Sequence, residues 1–207
     1  MARTGSGLRQ GGGVRMCRWL AYSGEPLRAS AVLLDATHSL VAQSLDSPLG
    51  AETVNGDGFG IDPSLYPHLM GTTDSEVLFH LAITNGLADD PVSALRATVD
   101  LVERIGRDHG VMFPMQGTVA VADGATIWAL RYSTQGRSRT LFHSADIPTI
   151  RRMYPDAERL GEFGEHAHVV VSEPLNDLPG LFTEVPESTI AILDREGYHH
   201  EPFRSAA

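Results

Sequence analysis

The 207-residue chain has only one cysteine, Cys17. That excludes an intramolecular disulfide, and a reducing compartment, the cytoplasm, is the expected location. Long apolar runs are missing as well, so no membrane-spanning helix is expected. Basic charge is scarce. Sixteen Lys and Arg stand against 26 Asp and Glu, for a net charge of −10. So acidic a chain is a poor surface for nucleic acid or an anionic membrane. The nine histidines are scattered, and only His166-x-His168 and His199-His200 form close pairs. Neither pair has a third ligand at useful spacing, so no metal is expected.

What remains is the make-up of an ordinary globular domain, 42% apolar and 20% charged, long enough to bury a substantial core. Residues 1–15 are the exception. They are Gly, Arg and small polar side chains, with Arg3, Arg9 and Arg15 and no acid. They lack the apolar stretch of a secretory signal. A disordered tail, or a start assigned upstream of a true initiator at Met16, is the favoured reading, with an Arg-bearing organelle transit segment as the alternative. The domain is expected to span 16–207.

Along that domain the pattern predicts a first strand over 16–23, closed by Gly24-Glu25-Pro26. A short helix follows at 27–34 and a brief ordered piece at 39–45, then a Gly-dense turn at 55–60 and an irregular stretch at 61–71. Thr73 or Asp74 is a good N-cap for a helix stopping near Gly86, and Asp89-Asp90-Pro91 opens another that ends at Gly110. Strands are predicted at 117–122 and 126–133 around Asp123-Gly124, a hairpin signal. Further strands are expected at 140–144, 168–172 and 189–193, with a short helix at 147–153. The order is α+β rather than alternating βαβ.

Four segments bear on chemistry. A cysteine uncovered by removal of Met16 would carry a thiol and a free α-amine, a nucleophile with its own base. In a chain beginning at Met1 that amine is locked in a peptide bond, and a buried small hydrophobe is the plain alternative. Gly56, Gly58 and Gly60 suggest a phosphate loop, but Ile61-Asp62-Pro63 blocks the helix such a loop must open, so no dinucleotide cofactor is expected. Asp74 is at least part of a helix-capping sequence, and a carboxylate there could also receive an ammonium. Ser172 closes a strand without the glycine-flanked elbow of a serine hydrolase.

Taken together the motifs resemble the class II glutamine amidotransferases, an N-terminal-nucleophile hydrolase family. The likeness is greatest to stand-alone bacterial members, which include the γ-glutamyl hydrolase of ergothioneine biosynthesis. The matching pieces are Met16-Cys17-Arg18-Trp19-Leu20-Ala21-Tyr22-Ser23-Gly24, His38-Ser39-Leu40 with Gln43-Ser44, Asn55-Gly56-Asp57-Gly58-Phe59-Gly60 and Gly71-Thr72-Thr73-Asp74-Ser75-Glu76-Val77-Leu78. Arg131-Tyr132-Ser133, Val171-Ser172-Glu173-Pro174-Leu175 and Glu184-Val185-Pro186-Glu187-Ser188 follow in order. The resemblance implies a four-layer αββα sandwich and an attack by Cys17 on the γ-amide of glutamine or a γ-glutamyl compound. Asn55 and Gly56 would sit beside the nucleophile, and Asp74 would hold the substrate ammonium. It implies no cofactor, and any ammonia released would pass to solvent or to an unidentified accepting partner.

One departure qualifies this. Family members carry a long segment between the Asn-Gly-Asp-Gly loop and the ammonium-binding Asp, with an Arg that clamps the substrate carboxylate and a His-Asn-Gly turn that supplies the oxyanion hole. Here Gly60-Ile61 runs straight into Asp62-Pro63, and no His-Asn-Gly occurs anywhere. The expected sandwich is therefore incomplete, with interior strands missing after Gly60, and its activity is expected to be impaired. A non-catalytic, degenerate scaffold is the rival expectation.

Overall fold

The computed structural model describes residues 20–23, 60–71, 73–157 and 162–206. Among these lie eight strands and three α-helices. Strand β1 is Leu20–Ser23, and a 3-10 helix at Pro63–His68 leads to α1, Asp74–Thr84, and α2, Pro91–Asp108. Then come β2 (Gln116–Ala122), β3 (Ile127–Ser133) and β4 (Phe142–Ser144). Helix α3 (Ile147–Met153) precedes β5 (His168–Val171), β6 (Phe182–Glu184), β7 (Thr189–Asp194) and β8 (Gly197–Pro202).

The strands form two antiparallel sheets, β1-β5-β4-β6 and β2-β3-β7-β8. Side-chain alternation, period two along each strand, explains how they stack. Ile127 and Ala129 of β3 and Ala191 and Leu193 of β7 turn toward the first sheet. There they pack with Val170 of β5, Leu141 and Val185 into one cluster, joined by Ala21 and Ala120. The opposite parity, Leu130 and Tyr132 of β3 with Ile190 of β7, faces Leu95 and Val99 of α2 and Leu78 of α1. On the far side α3 sets Ile147 and Ile150 against Tyr22 and Phe182. The layers are therefore helix, sheet, sheet, helix: an α+β fold with the expected αββα order.

The helix boundaries follow from local chemistry. Thr73, not Asp74, is the N-cap of α1, its side chain accepting from the Glu76 amide at 3.3 Å. The Glu76 carboxylate reaches back to the amides of Met70 and Gly71 at 2.7 and 2.8 Å, fixing the entry of the chain. Asp90 caps α2 through the Ser93 amide, with Pro91 in the first turn, where its missing N–H costs nothing. Asn85, just past α1, donates to Thr98 of α2 at 3.0 Å and ties the two helices together. A Cβ on Gly106 of α2 would lie 2.3 Å from the Pro114 ring, so the chain returning to β2 can pass only over a glycine.

The β2–β3 hairpin forms as predicted, pairing Ala122 with Ile127. Asp123 Oδ1 accepts from the amides of Ala125 and Thr126, both at 2.8 Å, and Gly124 takes φ +97°. Three expectations are corrected. The stretch read as irregular contains a 3-10 helix, nucleated by Asp62, which accepts from the Ser64 amide and hydroxyl. The strand expected from Thr140 begins at Phe142, because the Thr140 hydroxyl turns to the Ser172 carbonyl at 2.9 Å. Strands β6 and β8 were not anticipated. The ordered pieces expected at 27–34, 39–45 and 55–59 lie outside the described residues.

Candidate functional site at one end of the sandwich

Strand β1 fixes where the site must be sought. Its first residue, Leu20, pairs with Val171, Val171 with Phe142, and Phe142 with Glu184. That row crosses the first sheet at the end from which β1 starts. Cys17 precedes Leu20 by three positions in the sequence, and Cys17, Asn55 and Gly56 all lie outside the described residues. Of the four expected site residues only Asp74 is described. It occupies the first turn of α1, half-buried, with Oδ1 accepting from the Ser75 amide at 2.7 Å. The remaining oxygen makes no hydrogen bond among the described residues, so a donor such as an ammonium could still be received there.

Three of the motifs quoted above, far apart in sequence, meet at this end. Arg131 follows Ile127 and Ala129 on the inward face of β3, and its side chain is 10% exposed. A guanidinium in that position must have partners, since a buried unpaired charge is strongly disfavoured. Nη1 donates to Glu184 Oε1 at 2.6 Å and to the Val185 carbonyl at 2.5 Å, and Nε donates to Ser138 Oγ at 3.0 Å. Glu187 Oε2 stands 3.7 Å from Nε and accepts from the Ser138 amide at 2.8 Å and from the Ser138 hydroxyl. One arginine thus bridges both sheets, from β3 to the β6 end.

The set is not closed. Glu187 Oε1 and Ser172 Oγ are out of solvent and have no hydrogen-bond partner among the described residues. Such atoms are few in native proteins and call for an explanation. Both flank the segment 138–140, which binds Glu187 through Ser138 and the Ser172 carbonyl through Thr140. Among the described residues two carboxylates face one arginine at this end, and one acceptor is unmet. Arg131, Ser172, Glu184 and Glu187 belong to the motifs that carry the resemblance, which assigns them no role. The usable signal was parity, because Arg131 falls on the same face of β3 as Ile127 and Ala129.

Among the described residues no group of three or more His, Cys, Asp or Glu could hold a metal ion, and no described helix is long and apolar enough to cross a membrane.

No family model matches the chain. A stretch of 56 residues, 25% of the chain, is 43% identical to the probable glutamine amidotransferase DUG3 of Saccharomyces cerevisiae, of which it covers 15%. The fold matches a glutamine aminotransferase class-II domain protein from Silicibacter pomeroyi with a TM-score of 0.60 and 29% identity, over 76% of this chain and 66% of that one. The chain thus spans a small part of the yeast protein and just under two thirds of the bacterial one. One likeness comes from sequence and the other from architecture, and the two point the same way: this chain is related to the class II glutamine amidotransferases.

Proposed function

We propose that the chain descends from, and weakly retains, hydrolysis of the γ-amide of glutamine or of a γ-glutamyl compound, with Cys17 as nucleophile. The observation that carries this reading is the agreement of the two comparisons on one family, in a chain whose single cysteine directly follows a methionine. Removal of Met16 would free the α-amine of Cys17. That amine, with an ordinary pKa near 8, would take the thiol proton as sulfur attacks the γ-carbonyl carbon, then pass it to the departing ammonia. Water would cleave the resulting thioester and release glutamate. Asp74 is the proposed receptor for the substrate ammonium, with Asn55 and Gly56 beside the nucleophile.

The short connection from Gly60 to Asp62 supports impairment. Loss of one oxyanion donor costs about 10²–10³ in rate, and loss of a charge-assisted substrate clamp a further ~1.5–3 kcal/mol. A non-catalytic scaffold is the second reading, favoured by that same missing segment. Within the family, a γ-glutamyl sulfur compound is the alternative to free glutamine as substrate. The proposed setting is the cytoplasm, with the ammonia acceptor a separate protein or none.

Intact-mass spectrometry of the protein expressed from Met16 tests the first requirement. Complete loss of the methionine, leaving Cys17 terminal and open to alkylation at neutral pH, supports the enzyme reading. Retention of Met16, or of the whole 1–15 tail on the natural protein, supports the scaffold.

A further inference from the structure

Two apolar features stand exposed at opposite ends of α2. The first is a projection. Directly after the helix, Val111, Met112 and Phe113 are 48, 76 and 49% exposed. Consecutive large apolar side chains left in water mark a surface that meets something else. The run is held at both ends. Gly110 turns the chain at φ +80°, the Val111 amide donates to the Gly106 carbonyl at 2.8 Å, and the next two residues, Pro114 and Met115, are buried. A tip fixed in this way can dock at little ordering cost.

The second feature is a groove. Phe79 and Ile83 of α1, Leu87 and Pro91 at the turn into α2, and Val121 and Trp128 of the β2–β3 hairpin line an open space of about 680 Å³. Asp89 and Asp123 line it too, both exposed, and among the described residues no Lys, Arg or His does. The projection has the opposite balance. Between 104 and 113 the charged side chains are Arg104, Arg107 and Asp108, in a chain where acids outnumber bases 26 to 16.

We propose that the groove receives the 111–113 projection of a second copy of this chain, so that molecules associate head to tail along the helix layer. Pro91 lines the groove and starts α2, whereas the projection follows its last residue, Asp108. Eighteen helical residues span about 27 Å, and the bond to Gly106 keeps the projection at its own end. One molecule therefore cannot fill its own groove. Met112 is flexible enough to fit an irregular apolar space, and Phe113 can meet the rings of Phe79 and Trp128 edge-on or offset. The surface that enters differs from the surface that receives, so each molecule added still offers one of each, and growth continues past two. Three anchors make a small contact, below the roughly 1,200 Å² of stable complexes, so association is weak and follows concentration.

Sedimentation velocity of the full chain, from about 1 μM to about 1 mM, tests this. The mean mass should rise with concentration and pass that of a dimer. Met112→Glu alters the tip of the projection, and Ile83→Glu sets a carboxylate in the acid-lined groove. Each should raise the concentration of half-association at least about tenfold. Ala88→Glu, at an exposed position of the same groove, stands in if the Ile83 variant fails to fold. Mixed in equal amounts, the projection variant and the groove variant should pair and stop at the dimer, because each keeps the surface the other lacks. A monomer at every concentration would overturn the proposal. So would a parent that stops at a dimer, association that survives either folded variant, or a mixture that does not pair.

Discussion

Two glutamates meet the same demand, a carboxylate inside the fold, in opposite ways. Glu103 of α2 is fully buried. It accepts from the Tyr132 hydroxyl at 2.7 Å, the Thr134 hydroxyl at 2.5 Å and Arg107 at 2.9 Å. Burial pushes its pKa up, but the bonds from Thr134, Tyr132 and Ser205 and the charge of Arg107 outweigh that and leave it below the usual range. Glu187 is partly buried, with one oxygen bound by Ser138 and the other without a partner among the described residues. The first glutamate is a structural hub that fastens α2 to β3. The second keeps one carboxylate oxygen without a partner among the described residues, at the end where β1 begins. Complete satisfaction marks scaffold, and incomplete satisfaction marks the place to look for function.

The same substitution at both positions breaks or sharpens that contrast. Glu103→Gln turns an amide toward hydroxyls that now donate and strips Arg107 of its partner. A loss of about 3 kcal/mol is expected, seen as a fall in Tm of roughly 6–12 °C for a chain of this size. Arg131→Met comes next, at about 2–4 kcal/mol, because it leaves Glu187 and the Val185 carbonyl without their cation. Denaturant midpoints at pH 7 check both. Glu187→Gln should fall within about 1 kcal/mol of the parent, since the amide oxygen can still accept from Ser138 and the Arg131 contact it weakens is 3.7 Å long. A cost there equal to that at Glu103 would erase the distinction.

Acid gives a fourth test, with two separate windows. The His143 pKa is depressed from 6.5, so the unfolded chain binds the proton more readily than the folded one. Its contribution is present above pH 6.5 and is lost as pH falls from there through the folded value. Glu103 is depressed from 4.5, so its contribution is present above pH 4.5 and is lost only below that. Stability measured from pH 7.5 to 3.5 should therefore fall in two stages. His143→Phe should remove only the upper one, and Glu103→Gln only the lower.

These contrasts were unevenly legible in the sequence. The Asp123-Gly124 turn and the caps at Thr73 and Asp90 were readable because they rest on residues within four positions of one another. Strand β6 is three residues long, too short to show a period. Strand β8 reads Gly-Tyr-His-His-Glu-Pro, a polar edge whose existence depends on pairing with β7 rather than on its own composition. The pieces of the Arg131 cluster stand in separate motifs, and its hydrogen-bond partners lie 7 to 54 residues away. Only the stacking of two sheets brings them together. Phe79 and Ile83 of α1 are exposed and, with Ala120, Val121 and Trp128, line an open groove of about 680 Å³.

Release of glutamate from glutamine by the Met16-started protein, compared with its Cys17→Ser variant, tests the central claim most directly. The account predicts slow turnover, far below that of intact family members, that vanishes in the variant. Release that is unchanged by Cys17→Ser would contradict it.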